Sequence, residues 1–524
     1  QSEESIWSVS TGWDKNRKVY MEFGIDYNRT FGLHKTTALI LYNQSKYYSP
    51  SLQYYVPNAY QGLVGRLTYE YASRYLAEFN MGYNGTENFA KGKRFGFFPA
   101  VSLGWVISEE KFFPKNNIVK YLKVRGSYGE VGNDQIGGDR FLYLPSSYGA
   151  ASDSGVNKYN FGLASNPYTS LMIVENKIGN PDLTWEKAKK MNVGVDINLF
   201  NNCLTASFDI FKEKRNNILA NRSTSPMIIG ANLPAYNFGE MENRGWEMDL
   251  NFRHHIQDFH YWARFNYSFA RNEIIYMDEV QKRYDYQMTT GRRKNQFFGL
   301  IFDGYYNSWE EINALDRPKS SWSGNQLQPG DVKYIDVNQD GVIDDYDMVP
   351  IGYTPVPEII YGFSFGAQYK GFDFSILFQG ADNVSIKYFG RSMWPFAKGE
   401  ESAKSLIKER WTQERYEAGE KITFPRLSLN PNGETDHNYR PSTLWIRDAS
   451  YLRLKNLEVG YTFTGGFVKR LNLNSVRLYF NGSNLFTWTD VVDLDPEAPS
   501  RSGNVEINTY PLQKVYNIGL NINF

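Results

Sequence analysis

The residues most capable of chemistry form one acidic run in the second half of the chain. Its spacing follows the twelve-position calcium loop, in which oxygen ligands stand at positions 1, 3, 5, 7, 9 and 12 and a glycine stands at position 6. Gly341 occupies position 6, and Ile343 supplies an apolar position 8. The predicted ligands, with the backbone carbonyl at position 7, are Asp336, Asn338, Asp340, Val342, Asp344 and Asp347. The sequence therefore predicts a structural Ca²⁺ site.

The same run leaves an alternative open. Position 12 is Asp347 instead of glutamate, so its carboxylate reaches one methylene less far. Asp and Asn side chains can also cap the local backbone in solvated turns that hold no ion. Charge favours a cation, because the segment 331–347 holds six Asp against one Lys. Ca²⁺ is the expected ion, and Mg²⁺, which requires near-octahedral geometry, is less expected.

Aromatic side chains in the long connections form a second group of candidates. The chain carries 39 Tyr, 35 Phe and 12 Trp, more than a soluble enzyme of this size usually has. Rings in loops can stack on sugars, but they also build loop cores and membrane-interface belts. The candidates for ligand contact are Trp309, Trp322, Trp394 and Tyr286. No catalytic residue is predicted, because no metalloprotease helix, phosphate-binding loop or nucleophile elbow occurs.

Composition excludes several classes of function. Lys+Arg and Asp+Glu are both 57, so no basic excess indicates nucleic acid as a partner. A single Cys excludes an intrachain disulfide, and five His are too few for a histidine-based site to be expected. No apolar run approaches the 18 residues of a membrane-spanning helix.

The elements that must position these residues are strands, because apolar residues recur with period two. Segments with this alternation include 191–199, 204–210, 246–252, 361–369 and 516–524. The strands predicted around them, such as 203–214 and 243–253, run for roughly 9–13 residues, whereas soluble strands are typically about 5–6 residues long. A tilted strand needs about 9–11 residues to cross a bilayer. Alternation alone also fits a soluble sandwich, but segment length favours an all-β transmembrane antiparallel barrel with a polar lumen.

Loop lengths support the barrel. About fifteen strands are expected, and their connections mostly alternate between short and long. Tight turns are predicted at 29–32, 72–74, 200–202 and 370–371. Long connections are predicted at 131–187, 272–356 and 381–448, and the acidic run lies within 272–356. Outer-membrane barrels have short periplasmic turns and long extracellular loops, so these long connections are expected outside the cell.

Strand parity bears on the extent of the chain. If fifteen strands alternate in direction, the first and the last run the same way and cannot pair antiparallel. Single-chain bacterial barrels have an even number of strands. The count therefore predicts that an odd number of strands precedes this sequence.

Several motifs resemble the SusC/RagA-type TonB-dependent transporters of Bacteroidota. They are 330–347 with Ile351-Gly352, Pro357 and Tyr361-Gly362; 122–129 with Gly132-Asn133; 180–186; 447–461; Asn484-Leu485-Phe486 with Asp495-Pro496-Glu497; and Tyr510-Pro511 through Phe524. The match covers nearly the whole chain, and the order of the motifs is specific.

The resemblance implies a 22-stranded barrel in the bacterial outer membrane, closed by an N-terminal plug and energised by TonB. It also implies a SusD-like surface lipoprotein as a lid, and oligosaccharide or peptide as cargo. Residues 1–524 show no plug, so the expectation is that they form the C-terminal part of the barrel. Fifteen of 22 strands leave seven upstream, which is the odd number that parity requires.

Two other interpretations remain. One is a secreted, calcium-stabilised β-protein that binds glycans, which would be soluble without detergent. The other is a passive porin or an outer-membrane enzyme. A porin would transport solute without a proton gradient, and an enzyme would hydrolyse substrate when purified.

Overall fold

The fold is described from a computed structural model. The described residues are 15–50, 52, 56–135, 140–144, 149–150, 158–163, 168–171, 173–174, 178–224, 233–322, 327–388, 394–396, 405–428, 436–492, 494–497 and 512–524. No helix among these residues is both long enough and apolar enough to cross a membrane.

Within the described part of the chain, fifteen long strands form one sheet, in which neighbours in sequence are neighbours in space. This confirms the predicted all-β class and strand count. The strands are β1 (Arg17–Phe31), β2 (His34–Tyr48), β3 (Asn58–Tyr71), β4 (Tyr75–Thr86), β5 (Phe95–Val106), β6 (Val119–Asn133), β7 (Glu186–Leu199), β8 (Leu204–Ala220), β9 (Tyr236–Ile256), β10 (Phe259–Tyr276), β11 (Ile359–Tyr369), β12 (Phe372–Asp382), β13 (Tyr451–Phe463), β14 (Ser475–Thr489) and β15 (Val515–Asn523).

The two faces of the sheet differ as the alternation predicts. One face carries apolar rows that continue across the pairings, because side chains opposite each other in paired strands lie on the same face. One such row, from β10 to β15, is Tyr261, Ala367, Phe374, Val459, Phe480 and Ile518. The other face is polar, and there Arg477 pairs with both Asp373 and Glu458. Exposed apolar side chains on one face and ion pairs on the other are typical of a wall between lipid and a wet lumen.

A tight turn joins β11 to β12 and shows how sequence fixes the register. Lys370 and Gly371 both have positive φ, at 43° and 92°. A Cβ on Gly371 would lie 2.8 Å from the carbonyl oxygen of Thr462, so only glycine fits at this position. The turn sets Tyr369 opposite Phe372, which keeps the aromatic residues of both strands on the apolar face.

A bulge at Lys455 reverses the faces of β13. The pairing with β12 skips Lys455, so Leu377 pairs with Asn456 and Phe378 with Leu454. Because side chains alternate, one extra residue moves everything beyond it to the other face. Arg453 therefore lies on the polar face, although it shares its parity in sequence with the apolar Leu457.

Short elements lie outside the sheet. The strand pairs are Gly149–Ala150 with Ile173–Val174, Lys158–Phe161 with Tyr168–Leu171, Phe298–Gly299 with Val349–Pro350, Phe302–Tyr305 with Val332–Tyr334, Lys319–Ser320 with Val342–Ile343, and Ser385–Lys387 with Ile446–Asp448. The α-helices are Trp309–Asn313, Gln413–Glu417 and Phe467–Arg470, and the 3-10 helices are Ile107–Glu109, Asp285–Gln287, Asp345–Asp347, Ser405–Glu409 and His437–Tyr439. The connection predicted at 272–356 lies between Tyr276 and Ile359, so strand β10 extends five residues further than the pattern indicated.

The chain groups into two compact units. The first comprises Gln1–Glu109, Arg125–Asn192 and Glu213–Glu240, and the second comprises Glu110–Val124, Val193–Lys212 and Met241–Phe524. The first unit has a small buried cluster of Phe89, Phe98, Leu142, Leu183 and Trp185. The second unit has a much larger one, and the candidate functional residues lie around it.

Candidate functional site

The long connections of the second unit fold together around their own core. We call the described parts of 277–358, 383–450 and 490–497 the loop assembly. Its core brings together residues from all three connections. They are Leu300, Tyr305, Val332, Tyr334, Ile343, Val384, Ile386, Tyr388, Trp394, Trp411, Phe424, Tyr439, Leu444, Trp445, Ala449 and Val491. Burial of this many large apolar side chains makes the loops a packed structure, since each contributes about 1.5–3 kcal/mol on burial.

A buried polar network holds two of these connections together. Asp331 is buried and lies 2.6 Å from the guanidinium of Arg426. Asn438 donates from Nδ2 to Asp331 at 2.8 Å, and its Oδ1 accepts from the backbone N–H of Val332 at 2.9 Å. Each partner lies about a hundred positions away in sequence, so the sequence alone gave no sign of this pairing.

The predicted calcium loop is compact, and its acidic side chains cap its own backbone. Asp336 accepts from the N–H groups of Gln339 and Gly341 at 2.7 and 2.8 Å. Asn338 accepts from Asp340, and Asp340 accepts from Val342, both at 2.9 Å. Gly341 has φ +83°, as the sharp turn at position 6 requires.

Asp347 closes the loop from the inside. It is fully buried, and its carboxylate accepts from Val337 and Asp344 at 2.8 Å each, and from Asn338 at 3.4 Å. Burial raises the pKa of Asp347, and the negative charge of Asp336 adds to this rise, while the backbone N–H donors oppose it. No three His, Cys, Asp or Glu side chains converge on one metal position in the described part of the chain. The Ca²⁺ site therefore stays a prediction.

Two neighbouring segments fasten this loop to the rest of the loop assembly. The residues Lys319 and Ser320 pair in parallel with Val342 and Ile343. On the other side, the Tyr286 hydroxyl donates to the carbonyl of Tyr346 at 2.6 Å, and Gln287 donates to Asp345 at 2.8 Å. Tyr284 stacks on Tyr286 at 5.2 Å between ring centroids. One face of Tyr286, a predicted ligand-contact residue, is therefore covered by its neighbour.

The three predicted tryptophans differ sharply in exposure. Trp394 is only 9% exposed and packs against Tyr439 within the core. Trp322 packs against the same core and is covered by Arg440, whose guanidinium carbon lies 4.2 Å from the ring centroid. Trp309 is 51% exposed at the start of a short helix capped by Ser308. Of the three, Trp309 offers the largest free surface to a ligand.

Arg453 and the segment after β14 form a buried clamp. Arg453 is 2% exposed and contacts Glu497 and, at 2.8 Å, Asp495. Glu497 also accepts from the Tyr451 hydroxyl at 2.6 Å and from Gln379 at 3.1 Å. The motif Asp495-Pro496-Glu497 was visible in the sequence as part of the family resemblance, but its partner on β13 was not. The clamp fixes residues 494–497 against the polar face of the sheet.

His437 is a second buried polar group that sequence reasoning missed. Its Nε2 lies 2.8 Å from the carbonyl oxygen of Val332, and its Nδ1 lies 3.0 Å from the hydroxyl of Ser320. The Tyr334 hydroxyl donates to the carbonyl of His437 at 2.7 Å. Burial lowers the pKa of His437, although the carboxylates of Asp331 and Asp436 oppose this. No sequence motif marks this residue.

Comparisons with known proteins agree with this architecture. The family model described as "TonB dependent receptor-like, beta-barrel" matches residues 2–485. Among curated relatives, TonB-dependent receptor P3 of Formosa agariphila is 28% identical over 479 residues, which is 88% of this chain and 45% of the relative. TonB-dependent receptor SusC of Bacteroides thetaiotaomicron is 28% identical over 477 residues, which is 90% of this chain and 44% of the relative. The chain spans about half the length of the curated relatives it matches.

Solved structures give the same fold. The structure titled as the RagAB peptide transporter superposes with a TM-score of 0.72 at 21% identity, over 97% of this chain and 56% of that one. A second, described as the RagAB peptide importer in the "closed-closed" state, gives a TM-score of 0.71. At this identity the similarity establishes the fold alone.

Proposed function

This chain belongs to the TonB-dependent receptor-like β-barrel family of the bacterial outer membrane, and from that premise we propose that it takes part in active, TonB-energised import. The family is one of transporters and not of enzymes. Its location in the outer membrane sets aside the alternative of a soluble, secreted glycan-binding protein. The proposed cargo is an oligosaccharide or a peptide.

The observation that supports the proposal is that the same chain forms a sheet with one apolar and one polar face and a loop assembly with its own packed core. A passive porin needs only a wall and an open lumen. Here more than a dozen large side chains from three connections are buried in a common core, which holds these connections in one conformation. If they face outward as predicted, such a fixed surface suits a transporter that binds cargo before moving it, because a preorganised site loses less entropy on binding.

Trp309 is the proposed contact of this surface with cargo or with a partner. Its exposed ring can stack on a sugar or on an apolar peptide side chain. Glu310 is exposed beside it, and Glu311 is partly exposed, so the surface also carries negative charge. The similarity to a protein titled as a peptide transporter makes peptide the first cargo to test.

The proposed partners follow from the same premise. A SusD-like lipoprotein would form a lid over the loop assembly, and TonB would act through a plug and an N-terminal barrel segment. Outer-membrane lipid would cover the apolar face of the sheet. The proposed Ca²⁺ would sit in the loop 336–347 and hold it in shape.

The test is uptake by cells that express the full-length protein and its neighbouring lipoprotein. Labelled oligopeptides and oligosaccharides are supplied separately, with and without an uncoupler that collapses the proton gradient. We expect uptake of one class only, which stops when the gradient is removed. A control strain that lacks the gene fixes the background.

Two results would contradict the proposal. Uptake that continues at full rate without the gradient would indicate the porin alternative. Equal uptake by the deletion strain would show that another protein carries the cargo. Copurification of the tagged transporter with the product of its neighbouring lipoprotein gene tests the proposed lid independently.

A further inference from the structure

Three of the five histidines of the chain lie within one hairpin, at the other end of β10 from the loop assembly. His254 and His255 are near the end of β9, and His260 is the second residue of β10. Only Gln257 and Asp258 separate the two strands. This hairpin is at the end of the sheet where short turns connect the strands, the end predicted to face the periplasm.

The turn places His255 directly opposite His260. In a hairpin with a two-residue turn, Ile256 and Phe259 form the closing pair, and the next pair outward is 255 with 260. That pair is not hydrogen-bonded through the backbone, which brings its side chains closest together. The two imidazole rings indeed lie 5.5 Å apart between centroids, with 24° between their planes.

Both imidazoles are exposed on the polar face of the sheet. His260 pairs with Gln368, which in turn pairs with Asp373, so the row continues as polar residues. Since both side chains are exposed, they can rotate to bring a nitrogen from each ring toward one point. His254 lies on the opposite face, where its Nδ1 is 3.4 Å from the sulfur of Cys203.

We propose that His255 and His260 form a two-histidine site for a divalent transition-metal ion. Neutral imidazole is a preferred ligand of Zn²⁺, Ni²⁺ and Cu²⁺, whereas Ca²⁺ and Mg²⁺ prefer oxygen. Two opposing histidines supply two ligands, and water completes the coordination. The ion would join the ends of β9 and β10, and this site is chemically distinct from the acidic loop 336–347.

The order of affinity follows from the ligands. For nitrogen ligands the divalent ions rank with Cu²⁺ above both Ni²⁺ and Zn²⁺. With only two protein ligands, the site should bind more weakly than a structural zinc site, which has four. Excess Ca²⁺ should not compete for it.

The test uses the full-length protein in detergent, purified with a tag that contains no histidine. Cu²⁺ is titrated and followed by calorimetry and by electron paramagnetic resonance, which detects nitrogen ligands directly. We expect one equivalent of Cu²⁺ to bind, with two imidazole nitrogens as ligands. His255→Ala and His260→Ala should each lower its affinity at least tenfold and remove one nitrogen from the spectrum.

His254→Ala is the matched control, since it removes a neighbouring imidazole from the other face. It should leave the affinity and the spectrum unchanged. The proposal is overturned if His254→Ala weakens binding as much as the other two variants do. It is equally overturned if the double variant His255→Ala/His260→Ala binds Cu²⁺ like the parent protein, or if the parent protein binds none. Heat-modifiable migration on gels confirms that each variant is folded.

Discussion

The sheet and the loop assembly are built from similar residues in opposite ways. In the sheet, large apolar side chains such as Phe363 and Ile518 are exposed, at 42% and 80%, while charged groups pair on the other face. In the loop assembly, Trp394 and Trp445 are buried and form a core. The sheet exposes apolar side chains on one face, as a wall against lipid does. The loop assembly buries its apolar side chains, as a water-soluble domain does. The two regions of the chain therefore treat apolar side chains in opposite ways.

The sharpest test of this comparison is a pair of tryptophan substitutions in the loop assembly. Trp394→Ala removes a buried ring and should destabilise the loop assembly by about 3–5 kcal/mol. Trp309→Ala removes an exposed ring and should change stability by no more than about 0.5 kcal/mol, while lowering cargo uptake. Hydrogen exchange within 298–350 measures the first effect, and transport measures the second. Equal loss of hydrogen-exchange protection in Trp394→Ala and Trp309→Ala would contradict the conclusion that the first ring is buried and the second is exposed.

Arginine substitutions test the two faces of the sheet. Leu250→Arg and Phe365→Arg place a charge on the apolar face and should each cost about 2–4 kcal/mol near the membrane midplane. Asp249→Arg and Ser364→Arg, their neighbours on the polar face, are the matched controls and should cost less. Urea unfolding in lipid vesicles provides the measurement. Equal costs on both faces would indicate a sheet buried on two sides by protein.

Calcium should affect the loop assembly and leave the sheet unchanged. If the dissociation constant is about 1 mM, a Ca²⁺ concentration of about five times that value would stabilise the loop assembly by about 1 kcal/mol. Asp336→Ala combined with Asp340→Ala should abolish this gain and raise protease sensitivity within 327–350, with the barrel still folded. Asp316→Ala, which removes an exposed carboxylate outside the motif, is the control. Identical proteolysis with Ca²⁺ and with a chelator in the parent protein would end the prediction.

Acid should weaken the loop assembly through His437. Its pKa is lowered in the folded state by burial, so the folded state favours the neutral imidazole. The stability from this group is complete above the unfolded pKa of about 6.5, and it falls as the pH drops from there toward the lowered folded value. The protection factors of the amides at 332–334, corrected for the intrinsic exchange rate at each pH, should therefore be smaller at pH 5.5 than at pH 7.5. His437→Gln should remove this part of the pH dependence, and an unchanged pH profile in that variant would contradict the role of His437.

Labelling of intact cells tests which end of the sheet faces outward without any expected change in stability. In a Cys203→Ser background, a cysteine at Ser321 should react with an impermeant reagent, and a cysteine at Asn201 in the turn between β7 and β8 should not. The reverse result would invert the orientation. A cysteine at Asn157, in the predicted long connection 131–187, should react as well, although this position lies outside the described residues.

Much of the sheet could be predicted from the sequence because its signal is local. Alternation between neighbours sets the faces of each strand, and pairs such as Lys370-Gly371 mark the turns, so the count of fifteen strands was correct. Strand ends were predicted less well: the alternating segment 246–252 covers only part of β9, which runs from Tyr236 to Ile256. At the start of β9 the side chains no longer alternate between apolar and polar, although the backbone pairing continues.

Which loop residues are buried, and which partners they contact, could be determined only from the tertiary structure. Trp309, Trp322 and Trp394 were equivalent candidates in sequence, yet Trp394 is enclosed by Tyr439 and its neighbours whereas Trp309 remains exposed. The partners of Arg453 and Asp331 lie some forty to a hundred residues away. The physical reason is that exposure in the sheet follows from the nearest neighbours in sequence, whereas burial in the loops depends on contacts that form only when distant segments meet.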